Sequence, residues 1–194
     1  QIGSILSALL FYMGVVVLGL FIHMGITYLT ILKMFTNMDL KHFFKSMAPV
    51  QLLAFSTSSS GATLPVTMKR CEKDLGVSEE ISSFVLPLGA TINMDGTALY
   101  QGVAAVFIAQ AIGMDLTFAN QFTIVATAVL ASIGTAAVPG AGIIMLVIIL
   151  EAINVPSQGI ALILGVDRIL DMIRTATNVT GDATIACAMD SLEK

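Results

Sequence analysis

Charged residues interrupt the apolar stretches of this 194-residue chain only rarely, and their spacing limits the folds open to it. Residues 1–32 contain no Asp, Glu, Lys or Arg, and the first charge is Lys33. The apolar run at 5–32 exceeds the ~20 residues that a membrane-spanning helix needs. A second interval, 74–167, contains no Lys or Arg at all. The chain is therefore predicted to fold in a lipid bilayer, and its first apolar run to form one tilted spanning helix.

The composition indicates the same environment and excludes other classes of protein. Hydrophobic residues make up 56% of the chain and charged residues 11%, and the mean hydropathy is +0.91. Soluble domains are ordinarily ~45–50% apolar and ~25% charged. With nine Lys and Arg and a formal net charge of −4, the chain has no basic patch for phosphates. A soluble enzyme and a nucleic-acid-binding protein are therefore excluded.

Two further features of the sequence bear on its context. Cys71 and Cys187 are the only cysteines and lie in no CxxC or His-rich motif, so both are predicted to be free structural thiols. The chain opens with Gln-Ile-Gly-Ser, without an initiator Met or the basic start of a signal peptide. We expect it to be a piece of a longer protein.

Residues 46–69 are apolar but are interrupted by a Ser/Thr/Gly run at 56–61. Basic residues flank this segment on both sides: Lys33, Lys41 and Lys45 precede it, Lys69 is its last residue, and Arg70 and Lys73 follow it. The positive-inside rule places both flanks in the cytoplasm. A segment with both ends on one side cannot span, so 46–69 is predicted to be a re-entrant hairpin.

Residues 116–150 repeat this pattern with the opposite charge. They carry no charge, are interrupted by VPGAG at 138–142, and lie between Asp115 and Glu151. Acidic flanks and a Gly/Pro interruption predict a second re-entrant hairpin that enters from the outside. A single kinked span over the same residues is the alternative.

The two hairpins alternate with two predicted crossings. Residues 80–114 are interrupted by NMDGT at 93–97, and residues 157–189 contain NVTGD at 178–182. Residues 1–45 supply the first helix and a cytoplasmic linker. Because the two hairpin–helix units start from opposite faces, the fold class is predicted to be all-α and integral to the membrane, with an inverted repeat of re-entrant helical hairpins and broken transmembrane helices.

Five polar side chains near the end of the chain, here called the polar stripe, are spaced by 4, 3, 4 and 4 residues: Asp167, Asp171, Arg174, Asn178 and Asp182. These spacings place them on one face of a helix. Each ionisable group at the bilayer centre costs roughly 2.5–3.5 kcal/mol. The polar stripe is therefore predicted to face a polar interior and to be functional. A ladder of internally neutralised ion pairs is the alternative.

The chemistry of the stripe suggests a solute with charges of both signs. Arg174 offers a planar fork for a carboxylate, and Asp171 offers an acceptor for an ammonium group. Asp95 and Asp182 have no nearby cation in sequence, and each is predicted to lie in a Gly-containing helix break. A hard monovalent cation would compensate their charge, and a protonated Asp is the alternative. His23 is predicted to be a packed or interfacial histidine.

Four motifs, in this order, resemble the sodium-coupled glutamate/aspartate transporters, the dicarboxylate/amino-acid:cation symporters: SSSGATLP at 58–65, NMDGT at 93–97, VPGAG at 138–142 and DMIRTATN at 171–178. The resemblance covers nearly the whole chain. It implies a glutamate-transporter-like transport domain, with the N-terminal scaffold half absent from this sequence. It also implies a multi-pass protein of the cell (inner) membrane and a homotrimer in the full-length protein.

The resemblance also implies the roles of individual residues. Arg174 would bind the side-chain carboxylate of the substrate and Asp171 its amino group; the other substrate-binding residues would be Ser59, Ser60, Thr97, Val138, Gly142, Thr175 and Asn178. Sodium ions would be the only bound cofactors. One would use Gly89, Asn93, Asn178 and Asp182, and a second Thr91, Ser132, Ile133 and Thr135. A third would use Asn93 and Asp95 together with a helix that is missing from this sequence.

The implied function is secondary active symport of aspartate or glutamate with sodium, by alternating access with the second hairpin as the external gate. A proton-coupled glutamate symporter or a C4-dicarboxylate symporter of the same fold is the alternative, and Asp171 argues against the dicarboxylate. More remote alternatives are an intramembrane aspartyl protease using Asp95 and Asp182, and a passive ion channel.

The chain departs from its apparent relatives at arginine positions. Some relatives carry an arginine where this chain has Ser58, and others carry one where it has Met172. The extra arginine of this chain is Arg168, one turn before Met172.

Overall fold

The computed structural model describes residues 2–194, and these residues form helices without any strand. The elements are α1 (Ile2–His23), a π-helical turn (Met24–Tyr28), α2 (Leu29–Phe35), α3 (Leu40–Thr57), α4 (Ser60–Lys73), α5 (Glu79–Ile92), α6 (Asp95–Ala111), α7 (Phe118–Ile133), α8 (Ala141–Ala152), a 3-10 helix (Ser157–Leu162) and α9 (Leu164–Glu193). The all-helical architecture predicted from the sequence is confirmed.

The first three elements form one continuous helix. Its segment Gly3–Phe35 has 33 residues; the most apolar 18 consecutive residues in it have a mean hydropathy of 2.6, and only 17% of those residues are buried. At 1.5 Å per residue it is about 50 Å long. By length and composition this helix can cross a membrane.

Helices α3 and α4 form the first helical hairpin. Asp39 caps α3 by accepting hydrogen bonds from the backbone amides of Lys41 and His42, so residues 40–45, predicted to be linker, are helical. Ser58 closes the turn in the left-handed conformation, with φ 53°, and the Ser59 hydroxyl then caps α4. The hairpin helices therefore extend beyond the predicted 46–69.

Helices α7 and α8 form the second helical hairpin, and its tip contacts the tip of the first. Gly140, with φ 77°, begins α8. The carbonyl oxygen of Ala137 accepts hydrogen bonds from the Ser59 hydroxyl at 2.7 Å and from the Gly61 amide at 3.2 Å. A serine-rich and a glycine-rich turn thus meet through backbone groups that helices leave unpaired.

The two predicted helix breaks differ in the structure. A break does separate α5 from α6, at residues 93–94. The predicted break at Gly181–Asp182 is wrong, because α9 is a continuous α-helix from Leu164 to Glu193. Gly181 instead permits a close approach, since a Cβ there would lie 2.6 Å from the Tyr28 hydroxyl.

Helix α9 runs through the centre of the molecule and contacts α1–α6. One hydrophobic cluster, which includes Tyr100, Leu146 and Leu170, packs around its first half. A second, which includes Phe43 and Val179, packs around its second half. All five side chains of the polar stripe are buried, which confirms that the stripe faces the interior.

The end of α9 is tied to the start of α5. One carboxylate oxygen of Asp190 accepts a hydrogen bond from the backbone amide of Ser78 at 2.8 Å, and the other pairs with Lys194 at 2.5 Å. Partial burial raises the pKa of Asp190, but the hydrogen bonds from Lys194 and Ser78 outweigh it and hold the pKa below its ordinary value.

Candidate functional site

Arg174 is the largest side chain buried in the interior, with 1% of its surface exposed. Its Nε donates a hydrogen bond to Asp171 Oδ1 at 2.9 Å, and its Nη1 lies 3.6 Å from Asp167 Oδ1. The guanidinium carbon lies 4.0 Å from the centre of the Tyr100 ring, and the Tyr100 hydroxyl donates to Asp167 at 2.6 Å. A buried charge needs such partners, because an unpaired one would cost several kcal/mol.

The outer nitrogens of Arg174 retain hydrogen-bonding capacity. Nη2 lies 2.9 Å from Asp171 Oδ1, but neither Nη1 nor Nη2 makes a hydrogen bond of acceptable geometry within residues 2–194. The Ser58 hydroxyl nearby is also buried without a hydrogen-bond partner in this part of the chain. The guanidinium of Arg174 and the Ser58 hydroxyl therefore have N–H and O–H donors that no protein group uses within residues 2–194, as binding of a carboxylate requires.

The tip of the second hairpin rests directly on these side chains. The Gly140 amide donates to Asp171 Oδ2 at 2.9 Å. A Cβ at Gly142 would lie 2.9 Å from the Arg174 guanidinium carbon, so a side chain there would displace the guanidinium. The Gly142 carbonyl accepts a hydrogen bond from Gln101 at 2.9 Å. Gln101 and Tyr100 were not predicted; the available signal was a polar pair within the apolar helix α6.

A small polar cavity of about 20 Å³, room for about one water molecule, lies between both hairpin tips, α6 and α9. Its walls contain eight of the nine predicted substrate-binding residues: Ser60, Thr97, Val138, Gly142, Asp171, Arg174, Thr175 and Asn178. The ninth, Ser59, lies at the junction of the tips, where its hydroxyl bonds Ala137. Ser58, Met94, Thr135, Ala136 and Ala137 also line the cavity. Residues from four separate parts of the sequence therefore surround one polar space.

Asn178 joins this cavity to the start of α6. Its side-chain nitrogen donates to the Thr97 hydroxyl at 3.0 Å, and its side-chain oxygen accepts from the Gly96 amide at 2.8 Å. Because Gly96 follows Asp95 directly, Asn178 connects the wall of the cavity with a predicted cation ligand.

Asp182 lies beside Gly89 and Asn93, two of the three residues predicted to share a cation with it. Asp182 Oδ1 accepts a hydrogen bond from the side-chain nitrogen of Asn93 at 2.9 Å. A Cβ at Gly89 would lie 2.6 Å from the same oxygen. No Lys, Arg or His pairs with Asp182 in the described part of the chain, residues 2–194, and no group of three His, Cys, Asp or Glu there could hold a metal ion. Asp182 is thus a buried carboxylate with no basic partner among the described residues, and such a group suits a hard monovalent cation.

Asp95 has partners that the sequence analysis missed. Its Oδ2 accepts hydrogen bonds from the Tyr28 hydroxyl and from His23 Nε2, both at 2.6 Å. Asp95 has no basic residue near it in sequence, but the fold brings His23 to it. The pairing joins residues 72 positions apart, which local patterns in a sequence do not report.

The remaining predicted cation ligands lie at the ends of α5 and α7, two helices that contact each other. Thr91 is exposed, and its hydroxyl bonds the Leu88 carbonyl of its own helix. Ser132 and Thr135 are buried, whereas Ile133 is half exposed. The Ser132 carbonyl accepts a hydrogen bond from the Thr135 amide at 3.1 Å. Arg168 is exposed near the N-terminal end of α9 and forms no ion pair within residues 2–194.

The family model and the similar proteins found by comparison all indicate one family. Residues 1–192 match the model of the sodium:dicarboxylate symporter family. The chain is 46% identical over 172 residues to an excitatory amino acid transporter of Caenorhabditis elegans, covering 89% of this chain and 34% of that protein. It is 44% identical over 194 residues to excitatory amino acid transporter 1 of Rattus norvegicus (100% and 36%), and 45% identical over 172 residues to excitatory amino acid transporter 2 of Homo sapiens (89% and 30%).

The chain thus spans about a third of the length of the curated relatives it matches. The family and these relatives are transporters and not enzymes, so the aspartyl protease hypothesis is wrong. On a match that covers nearly all of its residues, this chain belongs to the sodium:dicarboxylate symporter family.

Proposed function

We propose that the complete protein is a secondary active symporter that moves aspartate or glutamate across a membrane together with sodium. The observation that carries this proposal is the buried pair of Arg174 and Asp171, which contacts the second hairpin tip and lines the cavity between both tips. The family to which the chain belongs supports sodium as the coupling ion.

The Arg174–Asp171 pair accounts for the choice of an acidic amino acid. Each member currently compensates the charge of the other at 2.9 Å. Leaving one partner of a buried pair uncompensated costs about 3–5 kcal/mol. A solute with both a side-chain carboxylate and an ammonium group replaces both partners at once, and Asp167 and Tyr100 continue to hold the guanidinium. A C4-dicarboxylate has no ammonium group and would leave Asp171 uncompensated.

Sodium would bind at the carboxylates that lie beside the cavity. Asp182 with Gly89 and Asn93 forms the first site, and Asp95 with Asn93 forms another. The second hairpin site would use backbone oxygens of Thr91, Ser132, Ile133 and Thr135. Asn178 provides a physical connection, because it bonds both Gly96 beside Asp95 and Thr97 in the cavity wall. A cation that orders this network favours substrate binding, and by reciprocity the substrate favours the cation.

The second hairpin would be the external gate. Four hydrogen bonds hold its tip in the described structure: from Gly140 to Asp171, from Gln101 to Gly142, and from Ser59 and Gly61 to Ala137. Because so few hydrogen bonds hold it, the tip can move away without unfolding of α7 or α8. Opening would expose the cavity, and closure over a bound substrate would separate it from water.

The surroundings of the site support a multi-pass protein whose two hairpins are re-entrant in the cell (inner) membrane. Large apolar side chains are exposed on both hairpins, among them Leu52, Leu130 and Ile144, each 70% exposed, and Phe118 at 85%. In water such a surface would associate, whereas lipid solvates it. The scaffold and the homotrimer contacts would belong to the rest of the polypeptide.

The proposal is tested by uptake of radiolabelled aspartate into liposomes that contain the complete protein. We expect uptake only with an inward sodium gradient, with competition by glutamate and none by serine. Arg174→Lys should abolish aspartate uptake, because an ammonium cannot replace the two-pronged fork. The matched variant Arg168→Lys, at an exposed arginine without an ion pair in residues 2–194, should transport normally. Uptake that is independent of sodium would contradict the proposal.

A further inference from the structure

The π-helical turn Met24–Tyr28 directly follows His23. In a regular α-helix, residues five apart are separated by about 140° around the axis. A π-turn contains one extra residue and stacks residue i+5 over residue i. His23 and Tyr28 are five residues apart, and their rings contact each other edge to face with centroids 5.1 Å apart. The turn therefore presents both side chains on one face.

Both side chains bind the same atom. The Tyr28 hydroxyl and His23 Nε2 each lie 2.6 Å from Asp95 Oδ2. A carboxylate oxygen only accepts, so both groups donate and occupy both lone pairs of Oδ2. Oδ1 accepts only the Gly96 amide within residues 2–194, at 3.0 Å. The open lone pair of Asp95 is thus on Oδ1.

The neighbouring elements hold Tyr28 and His23 in place. Tyr28 is buried, and its hydroxyl also contacts the Thr177 carbonyl at 3.2 Å. A Cβ at Gly181 would lie 2.6 Å from that hydroxyl, so the absence of a side chain there makes room for the tyrosine. The other ring nitrogen of His23 bonds the Thr27 hydroxyl at 3.2 Å. The two donors therefore have defined orientations before any ion binds.

We propose that the π-helical turn is a positioning device for a cation: His23 and Tyr28 occupy Asp95 Oδ2 and turn Oδ1 toward the bound ion. This inference rests on the proposed function, in which Asp95 is a sodium ligand. It assigns two residues of the first helix to that site as positioning residues that do not touch the ion themselves. The first helix thereby acts on a site at the break between α5 and α6.

The test uses the complete protein and separates sodium dependence from substrate affinity. Tyr28→Phe keeps the ring and removes only the donor. We expect the sodium concentration for half-maximal aspartate binding to rise about tenfold, the factor that corresponds to one lost hydrogen bond to a charged group. The aspartate Kd at saturating sodium should be unchanged. The control is Thr36→Val, at the end of the same continuous helix. Within residues 2–194 the Thr36 hydroxyl bonds only the Leu32 carbonyl and the Met38 amide, both local to that turn.

A second pair of variants tests the other donor. His23→Gln places an amide nitrogen near the position of Nε2, and we expect wild-type sodium dependence. His23→Leu cannot donate and should shift the sodium dependence as Tyr28→Phe does. If Tyr28→Phe does not fold, the difference in sodium dependence between His23→Gln and His23→Leu still tests whether a donor to Asp95 Oδ2 is needed.

Two results would overturn the inference while leaving the proposed function intact. One is wild-type sodium dependence in both Tyr28→Phe and His23→Leu. The other is an equal loss of aspartate affinity at saturating and limiting sodium, which would indicate a structural role. Sodium-independent aspartate binding by the wild-type protein would instead overturn the proposed function, and the inference with it.

Discussion

Replacing Asp171 by asparagine removes one negative charge from the cavity and changes the shape of the side chain little. The side-chain oxygen of the asparagine can still accept the Gly140 amide, which Asp171 Oδ2 now accepts at 2.9 Å. The variant can no longer compensate the charge of an ammonium group. Because Asp167 lies 3.6 Å from Arg174 and the Tyr100 ring stacks on it, the guanidinium keeps two of its three partners.

The expected loss follows from the burial of the pair. Removing one partner of a buried, hydrogen-bonded charge pair costs roughly 2–5 kcal/mol. At 1.4 kcal/mol for each tenfold change, aspartate should bind at least about 30-fold more weakly. Succinate has two carboxylates and no ammonium group, so it loses no contact in the variant. Its affinity should stay the same or rise, and the ratio of the two affinities should change by at least the same factor.

The assay is calorimetric titration of the complete protein with aspartate and with succinate at saturating sodium. Asp115→Asn is the matched control, because Asp115 is exposed in the connection between α6 and α7. It should bind both ligands as the wild type does. An equal loss for aspartate and succinate in Asp171→Asn would refute the assignment of Asp171 to the ammonium group.

Three further predictions concern other parts of the chain. Gly142→Ala should weaken aspartate binding by about tenfold or more, because its Cβ would lie 2.9 Å from the guanidinium carbon, whereas Gly134→Ala, with no atom closer than 3.6 Å, should bind normally in the same titration. Asp182→Asn should raise the sodium concentration for half-maximal aspartate binding, and an unchanged sodium titration would count against a cation site there. The carboxylate of Asp190 has a lowered pKa in the folded protein, so its contribution to stability is complete above the ordinary Asp pKa of about 3.9 and disappears as the pH falls through the lowered value. Asp190→Asn should therefore melt at a lower temperature than the wild type at neutral pH, and the difference should disappear in acid.

The polar stripe shows which features a sequence reports well. Spacings of 4, 3, 4 and 4 residues determine a helical face whatever the surroundings, and burial of Asp171 and Arg174 follows from their cost in lipid. The hairpin tips were equally easy to predict from the sequence, because serine and glycine are residue types that favour turns. Ser58 and Gly140 do adopt positive φ in the structure. Each of these inferences depends only on residues near one another in sequence.

The features that were missed depend on contacts between distant elements. His23 bonds Asp95 across 72 residues, and a lone histidine in an apolar run carries no sign of its partner. Gly181 was interpreted as a helix break, although its role is to admit Tyr28 against α9. Gln101 carries no charge, so its hydrogen bond to the second hairpin was invisible to arguments based on charge.

The central claim is that the buried charges of α9 enclose a charged solute together with sodium. It is tested most directly by the equilibrium affinity of the complete protein for aspartate, measured across a series of sodium concentrations. The account predicts that affinity rises steadily with sodium and that Arg174→Ala removes aspartate binding at every concentration. An aspartate affinity that is the same with and without sodium, or that survives the loss of Arg174, would contradict it.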